Sequence, residues 1–405
     1  MRPSRTTALL ILVCALSTFA QAQSKRLVIA ASVIFDGRGN ILRDTRFAVE
    51  GGKIVAIDPK LTPVNIDLRG LTVMPGWIDA HVHLTWSFGK DGKNIGGDQT
   101  TQDAAYASAS NAWATLMAGF TTVQNLGGPT GVALRDAISS GTLPGPRLLT
   151  SIEPIMGRGE ATGTPEELRA AVRKQKQAGA DVIKIFASGG MTEGKMTLSP
   201  EQLQAACDEA NKQGLRAMVH AYRDAVHEAI LAGCTQIENG LGASDDDLKL
   251  MARNGIYFDP QSGMPLKSYI RFKDQYAGTP YFTNTKFDAL PQLLPLHFDV
   301  LRRAAKTPDL KIVFGSDAVA GAHGRNAEEF VSRVRDAGFD AMSAFVSANS
   351  LAAEAIKMGN RIGSIATGYE ADIIALDGDP LKDITAVYRI AFVMKGGVTY
   401  KNGMN

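Results

Sequence analysis

Eight short apolar runs, separated by stretches with helical punctuation, limit what this chain can become more than any other feature. They read TVMPGWIDAHVHL (72–84), FTTVQNLG (120–127), PRLLTSI (146–152), DVIKIFAS (181–188), RAMVHA (216–221), CTQIEN (234–239), GIYFDP (255–260) and KIVFGSDA (311–318). The punctuation between them is legible. Thr164-Pro165-Glu166-Glu167 is a capping box with proline at the first helical position, and Gly179 stops that helix. Ser199-Pro200-Glu201-Gln202 repeats the device, with Leu203, Ala206, Cys207 and Ala210 on one face and Gly214 as the stop. Eight β-runs with helical crossovers predict an α/β protein built as a (β/α)₈ TIM barrel rather than an open doubly wound sheet. No G-x-G-x-x-G follows a strand, which argues against a dinucleotide fold.

The two ends differ from the middle. Residues 26–60 and the stretch ADIIALDGDPLKDITAVYRIAFVMKGGVTYKNG (371–403) alternate short strands with Gly and Asp-Gly turns. They predict a small composite β-sandwich formed by both termini, with residues 23–70 and 365–405 as its halves and the barrel at 71–364. Residues 1–22 read as a cleavable signal peptide: Arg2 and Arg5, an apolar stretch from Ala8 to Phe19, then Ala20-Gln21-Ala22. The mature chain is accordingly expected to be secreted or periplasmic. Removing Arg2 and Arg5 takes the formal charge from +2 to 0, so nothing electrostatic favours nucleic acid or an anionic membrane as a partner. A small molecule or dipeptide is the expected partner, with association into a homo-oligomer left open. Besides Cys14, only Cys207 and Cys234 are present. One pair 27 residues apart is no framework, and two buried free thiols are expected.

The crossover at 262–310 is oversized and holds seven Phe or Tyr, among them Tyr269, Phe272, Tyr276, Tyr281 and Phe282. It reads equally as a lid over the barrel mouth or as ordinary helices packed outside.

In a barrel the chemistry sits at the C-terminal ends of the strands. The polar residues there are few and of one kind. His81 and His83 point to one face by period-two geometry, although only six histidines exist in 405 residues. Lys184 lies inside an apolar run, His220 ends the fifth, and Asp317 ends the eighth. Imidazole and carboxylate suit Zn²⁺, and less selectively Mn²⁺, Co²⁺ or Fe²⁺. A buried ammonium is costly, so Lys184 needs either a carboxylate, with Asp317 across the barrel as the simplest partner, or conversion to an anion.

The H-x-H after MPGWIDA, the lysine in GADVIKIFASGG, the histidine in MVHAY, the aspartate in FGSDA and the tail GSIATGYEADIIALDGDPL together resemble the amidohydrolase superfamily, in its imidazolonepropionase-like and Xaa-Pro dipeptidase branch. The resemblance runs in order from about Leu27 to the end. It implies a divalent metal centre, zinc by preference, with one or two ions per chain. His81, His83 and Asp317 would hold the first, Lys184 as a CO₂-derived carbamate would bridge, and His220 would bind the second. One position departs: where the family pattern resembles I-E-H-G, this chain has IENG, with Asn239 in place of the histidine. Asn239 offers only a carbonyl oxygen and stands between metal ligand and supporting residue. His227, in a helix, reads as surface or supporting, and His297 as structural.

The expected reaction is cleavage of an amide or peptide bond by a metal-activated water, with Asp317 as general base and then proton donor. No G-x-S-x-G suggests a serine hydrolase. Arg158 in IMGRGEA, Tyr222 and Arg223 after His220, and His323 in GAHGRN are the candidate substrate contacts; an arginine at the mouth would suit the carboxylate of a dipeptide or N-acyl amino acid. Two alternatives stand beside this. One is a lactone or organophosphate ester hydrolase on the same site; the other is a ligand-binding barrel silenced by Asn239.

Overall fold

The eight runs form one closed parallel barrel in the computed structural model, which describes residues 26–95, 99–159, 161–278 and 282–403. Its strands are β1 (Trp77–Val82), β2 (Phe120–Leu126), β3 (Arg147–Ser151), β4 (Val182–Phe186), β5 (Arg216–Ala221), β6 (Gln236–Asn239), β7 (Tyr257–Asp259) and β8 (Lys311–Ile312). Neighbours pair in parallel from β1 to β3 and from β4 to β8. The Asp181 N–H donates to the Thr150 carbonyl at 2.9 Å and joins β3 to β4. Closure comes from the chain just after β8: Val82 bridges Ala318, and the Asp317 N–H donates to the His81 carbonyl at 2.9 Å. First and last runs therefore lie side by side, which brings Asp317 to the histidine pair.

The helical punctuation behaves as read. In α1 (Pro165–Gln177) the Thr164–Glu167 capping box forms, and in α2 (Pro200–Lys212) the Ser199–Gln202 box does the same. Gly179 at φ 90 and Gly214 at φ 71 occupy the left-handed position beyond each helix end, where a Cβ would be strained.

The two ends make one sheet of eight strands. Thr72–Pro75 pairs antiparallel with Ile373–Leu376 and joins the N-terminal strands to the C-terminal ones, so the N-terminal half of the sheet reaches Pro75. The sheet curls until its edge turns meet, with a Cβ at Gly52 falling 2.8 Å from the Gly396 carbonyl oxygen. Ile29, Phe47, Val73, Ile373 and Phe392 share the core beneath. The signal peptide expected at residues 1–22, with Cys14, lies outside the described residues. Among those described, no helix is long and apolar enough to cross a membrane.

The expectation of free thiols is corrected. Cys207 of α2 and Cys234 form a disulfide, with Cα atoms 5.0 Å apart. They are 27 positions apart, and the chain between them makes one strand and one helix of the barrel, so it returns beside its starting point. Sequence separation carries no sign of that return. Replacing both by alanine is expected to lower unfolding stability by about 3 kcal/mol through loss of loop closure. Urea melts with and without reductant measure it; a wild-type protein indifferent to reductant contradicts the bond's contribution.

Candidate metal centre

The centre is assembled where β1 meets the turn after β8. His81 is buried, and burial followed by the nearby Lys184 charge holds its ring well below the usual histidine range. It is therefore neutral. Its Nδ1 lies 2.6 Å from Glu238 Oε2 and also faces Gln261 Nε2; a proton on Nδ1, donated to Glu238, leaves the Nε2 lone pair exposed to the site. His81 Nε2 is 3.1 Å from His83 Nε2 and 3.4 Å from Asp317 Oδ1, and His83 Nε2 is 3.0 Å from the same oxygen. Burial alone would raise the Asp317 carboxyl, but His81, His83 and Lys184 outweigh it and hold the group at about 2. Two imidazole nitrogens and an ionised carboxylate thus converge, all within 4.8 Å of one another. That donor set suits a divalent cation.

Lys184 stands in the middle of β4, fully buried, with no hydrogen-bond partner for Nζ. The ion pair with Asp317 that would have made it structural is not formed; the Phe186 ring centroid lies 5.0 Å from Nζ. Burial lowers its pKa, against the pull of Glu238, Asp317 and Asp259. His220 ends β5 with Nε2 3.2 Å from the Gly189 carbonyl, and burial plus Lys184 hold it at about 4. Asn239 follows at the end of β6. Its φ of 68 breaks the strand alternation, so it reaches the barrel mouth although Glu238 beside it also faces inward. The Asn239 Nδ2 donates to Gln261 Oε1, and its buried Oδ1 has no hydrogen-bond partner.

His81, His83, Lys184, His220, Asn239 and Asp317 all line one cavity of about 680 Å³. Tyr222 lines it too, its ring edge-on to His220 with centroids 4.8 Å apart. Tyr269 and Phe282 bring the long crossover into the wall, opposite Phe186 and Trp86, so part of that segment serves the pocket. Tyr281 lies outside the described residues. His227 is exposed and pairs with Asp247 at 2.8 Å, whereas His297 is buried in the helix Asn284–Ala305.

Three expected substrate contacts are not brought to the cavity. Arg158 is exposed on the loop after β3, and its side chain borders a smaller cleft beside α1. Arg223 is turned outward by a φ of 52, its guanidinium donating to the Glu193 carbonyl at 3.1 Å. His323 is held behind the wall, where burial, then the His83 charge, push it down to about 3. Each lies close in sequence to a lining residue, and adjacent positions on an extended chain face opposite ways. Alanine at Arg158 or Arg223 is accordingly expected to change kcat/KM by no more than about twofold, the scale of an ordinary surface substitution; a large rise in KM in either variant contradicts this placement.

Sequence reading passed over the residues beneath the candidate ligands. Glu238 accepts from His81, from Gln236 Nε2 at 2.7 Å and from Gln261 Nε2 at 2.8 Å. Asp259 is held by Arg333 at 3.0 Å and by the Gly315 N–H at 3.1 Å. A signal for Glu238 existed: it alternates with Gln236 about the apolar Ile237 in a short strand. Gln261, beyond β7 at φ 45, had none.

The amidohydrolase family model matches residues 72–400, from the last strand before the barrel to the end of the composite sheet. The chain belongs to the amidohydrolase family. This amidohydrolase is 27% identical to the ochratoxinase of Aspergillus niger over 94% of its own length and 87% of the relative's. It is similar in structure to a Xaa-Pro dipeptidase with methionine bound in the active site, at TM-score 0.84 and 29% identity, covering 93% of this chain and all of that one. A prolidase in complex with N-methylphosphonate-L-proline superposes at TM-score 0.83 and 28% identity over the same shares. The protein is a hydrolase of amide or peptide C–N bonds. The family generally works with a divalent metal, and His81, His83 and Asp317 form a group able to hold one.

Proposed function

We propose that this amidohydrolase cleaves amides of the dipeptide or N-acyl amino acid type that carry a bulky apolar group. The observation that supports it is the meeting of His81, His83 and Asp317 beside the unpartnered Lys184 at the floor of an aromatic-walled cavity. The donor set fits a divalent metal, proposed as zinc: His81, His83 and Asp317 would hold one ion, and Lys184 as a carbamate with His220 a second. Bound there, the metal supplies water activation and polarisation of the scissile carbonyl. Burial lowers the Lys184 pKa and so increases the share of free amine, the form that adds CO₂ and releases a proton. Carbamate formation then places an anion where Nζ has no partner.

Asp317 takes a proton from the attacking water and returns it to the leaving nitrogen. The C–N bond breaks, a C–O bond forms, and the products are a carboxylic acid and an amine. His81, fixed by Glu238, keeps Nε2 free of a proton throughout. Trp86, Phe186, Tyr222, Tyr269 and Phe282 surround the apolar part of the substrate and exclude water from it. No arginine of the described residues lines the cavity; that favours recognition by apolar contact and supports, as a second reading, an uncharged ester or lactone on the same residues. The proposal includes export of the mature chain, which the Cys207–Cys234 disulfide supports, and a small-molecule substrate as the partner.

The test is hydrolysis of matched N-acyl amino acids and dipeptides by protein stripped with a chelator, then reloaded with Zn²⁺ and bicarbonate. Activity is expected to vanish on stripping and return on reloading, highest for aromatic side chains. Undiminished turnover by the stripped protein sinks the metal reading, and a preference for lactones over every amide sinks the substrate reading.

A further inference from the structure

Asp317 meets His81 and His83 with its backbone at φ 48, in the left-handed region that residues with side chains seldom occupy. The residue before it is tied down on both polar atoms. The Ser316 N–H donates to Asp79 Oδ1 at 2.9 Å, and Ser316 Oγ donates to Asp79 Oδ2 at 2.5 Å. Asn326 Nδ2 donates to the same Oδ2 at 2.8 Å and to Ser316 Oγ at 3.1 Å, while Asn326 Oδ1 accepts from the Gly324 N–H at 3.1 Å. Asp79 Oδ1 also accepts from the His81 N–H at 3.2 Å.

Asp79, Ser316 and Asn326 are all fully buried, and none lines the cavity. They cannot touch substrate. They join the strand that carries both histidines to the turn that carries Asp317, and every donor in the group meets an acceptor. We propose that Asp79, Ser316 and Asn326 are a clamp that sets the Asp317 carboxylate against His81 and His83, making Asp79 and Asn326 positioning residues for hydrolysis. The catalytic arm of this inference rests on the role given to Asp317 above.

The clamp has a polarity, which makes it testable by exchange. Asp79→Asn alone sets an amide donor against the Asn326 amide, and Asn326→Asp alone sets two carboxylates against each other. In the double variant Asn at 79 donates to Asp at 326, Ser316 Oγ donates to that aspartate, and the Gly324 N–H keeps its acceptor. Net charge is unchanged. Zinc affinity is read by competition with a chromophoric chelator, and kcat and KM are read on the reloaded enzyme. Each single variant is expected to weaken zinc binding about 10–100-fold, as loss of an outer partner does, and to lower kcat with little change in KM. The double variant is expected to recover most of both.

Single variants with wild-type zinc affinity and kcat overturn the clamp, as does a double variant no better than the worse single. Should a charged exchange fail to fold, Asn326→Ala decides: a lower melting temperature with zinc affinity and kcat unmoved means a structural role only. If the wild-type protein binds zinc but cleaves no amide, the proposed function fails while the zinc arm still judges the clamp.

Discussion

Asp317→Asn is expected to lower kcat for amide hydrolysis by about 10²–10⁴-fold, the range for loss of a positioned proton-transfer group, with the barrel intact. The carboxamide fills the same volume and can still accept from His83, which lies 3.0 Å away in the native site. What it cannot do is take a proton. The held-down pKa of about 2 means that the native group is ionised across the working range, so the variant loses the charge at every pH. Steady-state kinetics on reloaded protein, with circular dichroism as the check on folding, measure the effect. A variant that keeps more than a tenth of wild-type kcat would show that the proton goes elsewhere, and no other carboxylate of the described residues lines the cavity.

Lys184→Met should move stability and activity in opposite directions. In the stripped protein Lys184 Nζ is buried without a partner, and an unsatisfied buried polar group costs about 1–3 kcal/mol. Methionine keeps the length of the stem and removes that cost. The stripped variant is therefore expected to unfold at higher urea than the stripped wild type, by a margin of about 1–3 kcal/mol, while losing every trace of bicarbonate-dependent activity. Such a trade is common where a site keeps a group the fold would discard. Equal stability would mean that Lys184 is satisfied in solution. Retained bicarbonate dependence would remove the carbamate from the mechanism.

Much of this was legible beforehand because local periodicity carries it. Period two places His81 with His83, and puts Lys184 on the inward face of β4 with Val182 and Phe186; the capping boxes at Thr164 and Ser199 mark where crossovers begin. The same rule explains the errors. Arg223 follows Tyr222, and Arg158 lies two residues beyond Met156 in a loop, where neither alternation nor a neighbour's position says which way a side chain turns. For Arg223 and Asn239 the backbone left the strand at positive φ, sending one outward and the other into the mouth.

Sequence alone determined the barrel and the composite sheet and singled out the candidate ligands, since these follow from apolar period, turn residues and the scarcity of polar groups at strand ends. Tertiary structure decided what depends on closure. His81 meets Glu238 across 157 positions and Asp79 meets Asn326 across 247, pairs that no local pattern specifies. Closure forms both: it sets the first strand across the barrel interior from Glu238 of β6, and against the segment after the last strand that carries Asn326. Inside, each buried charge or amide must find its partner from whichever strand the closure presents, and among the candidate ligands Lys184 Nζ and Asn239 Oδ1 are left without one.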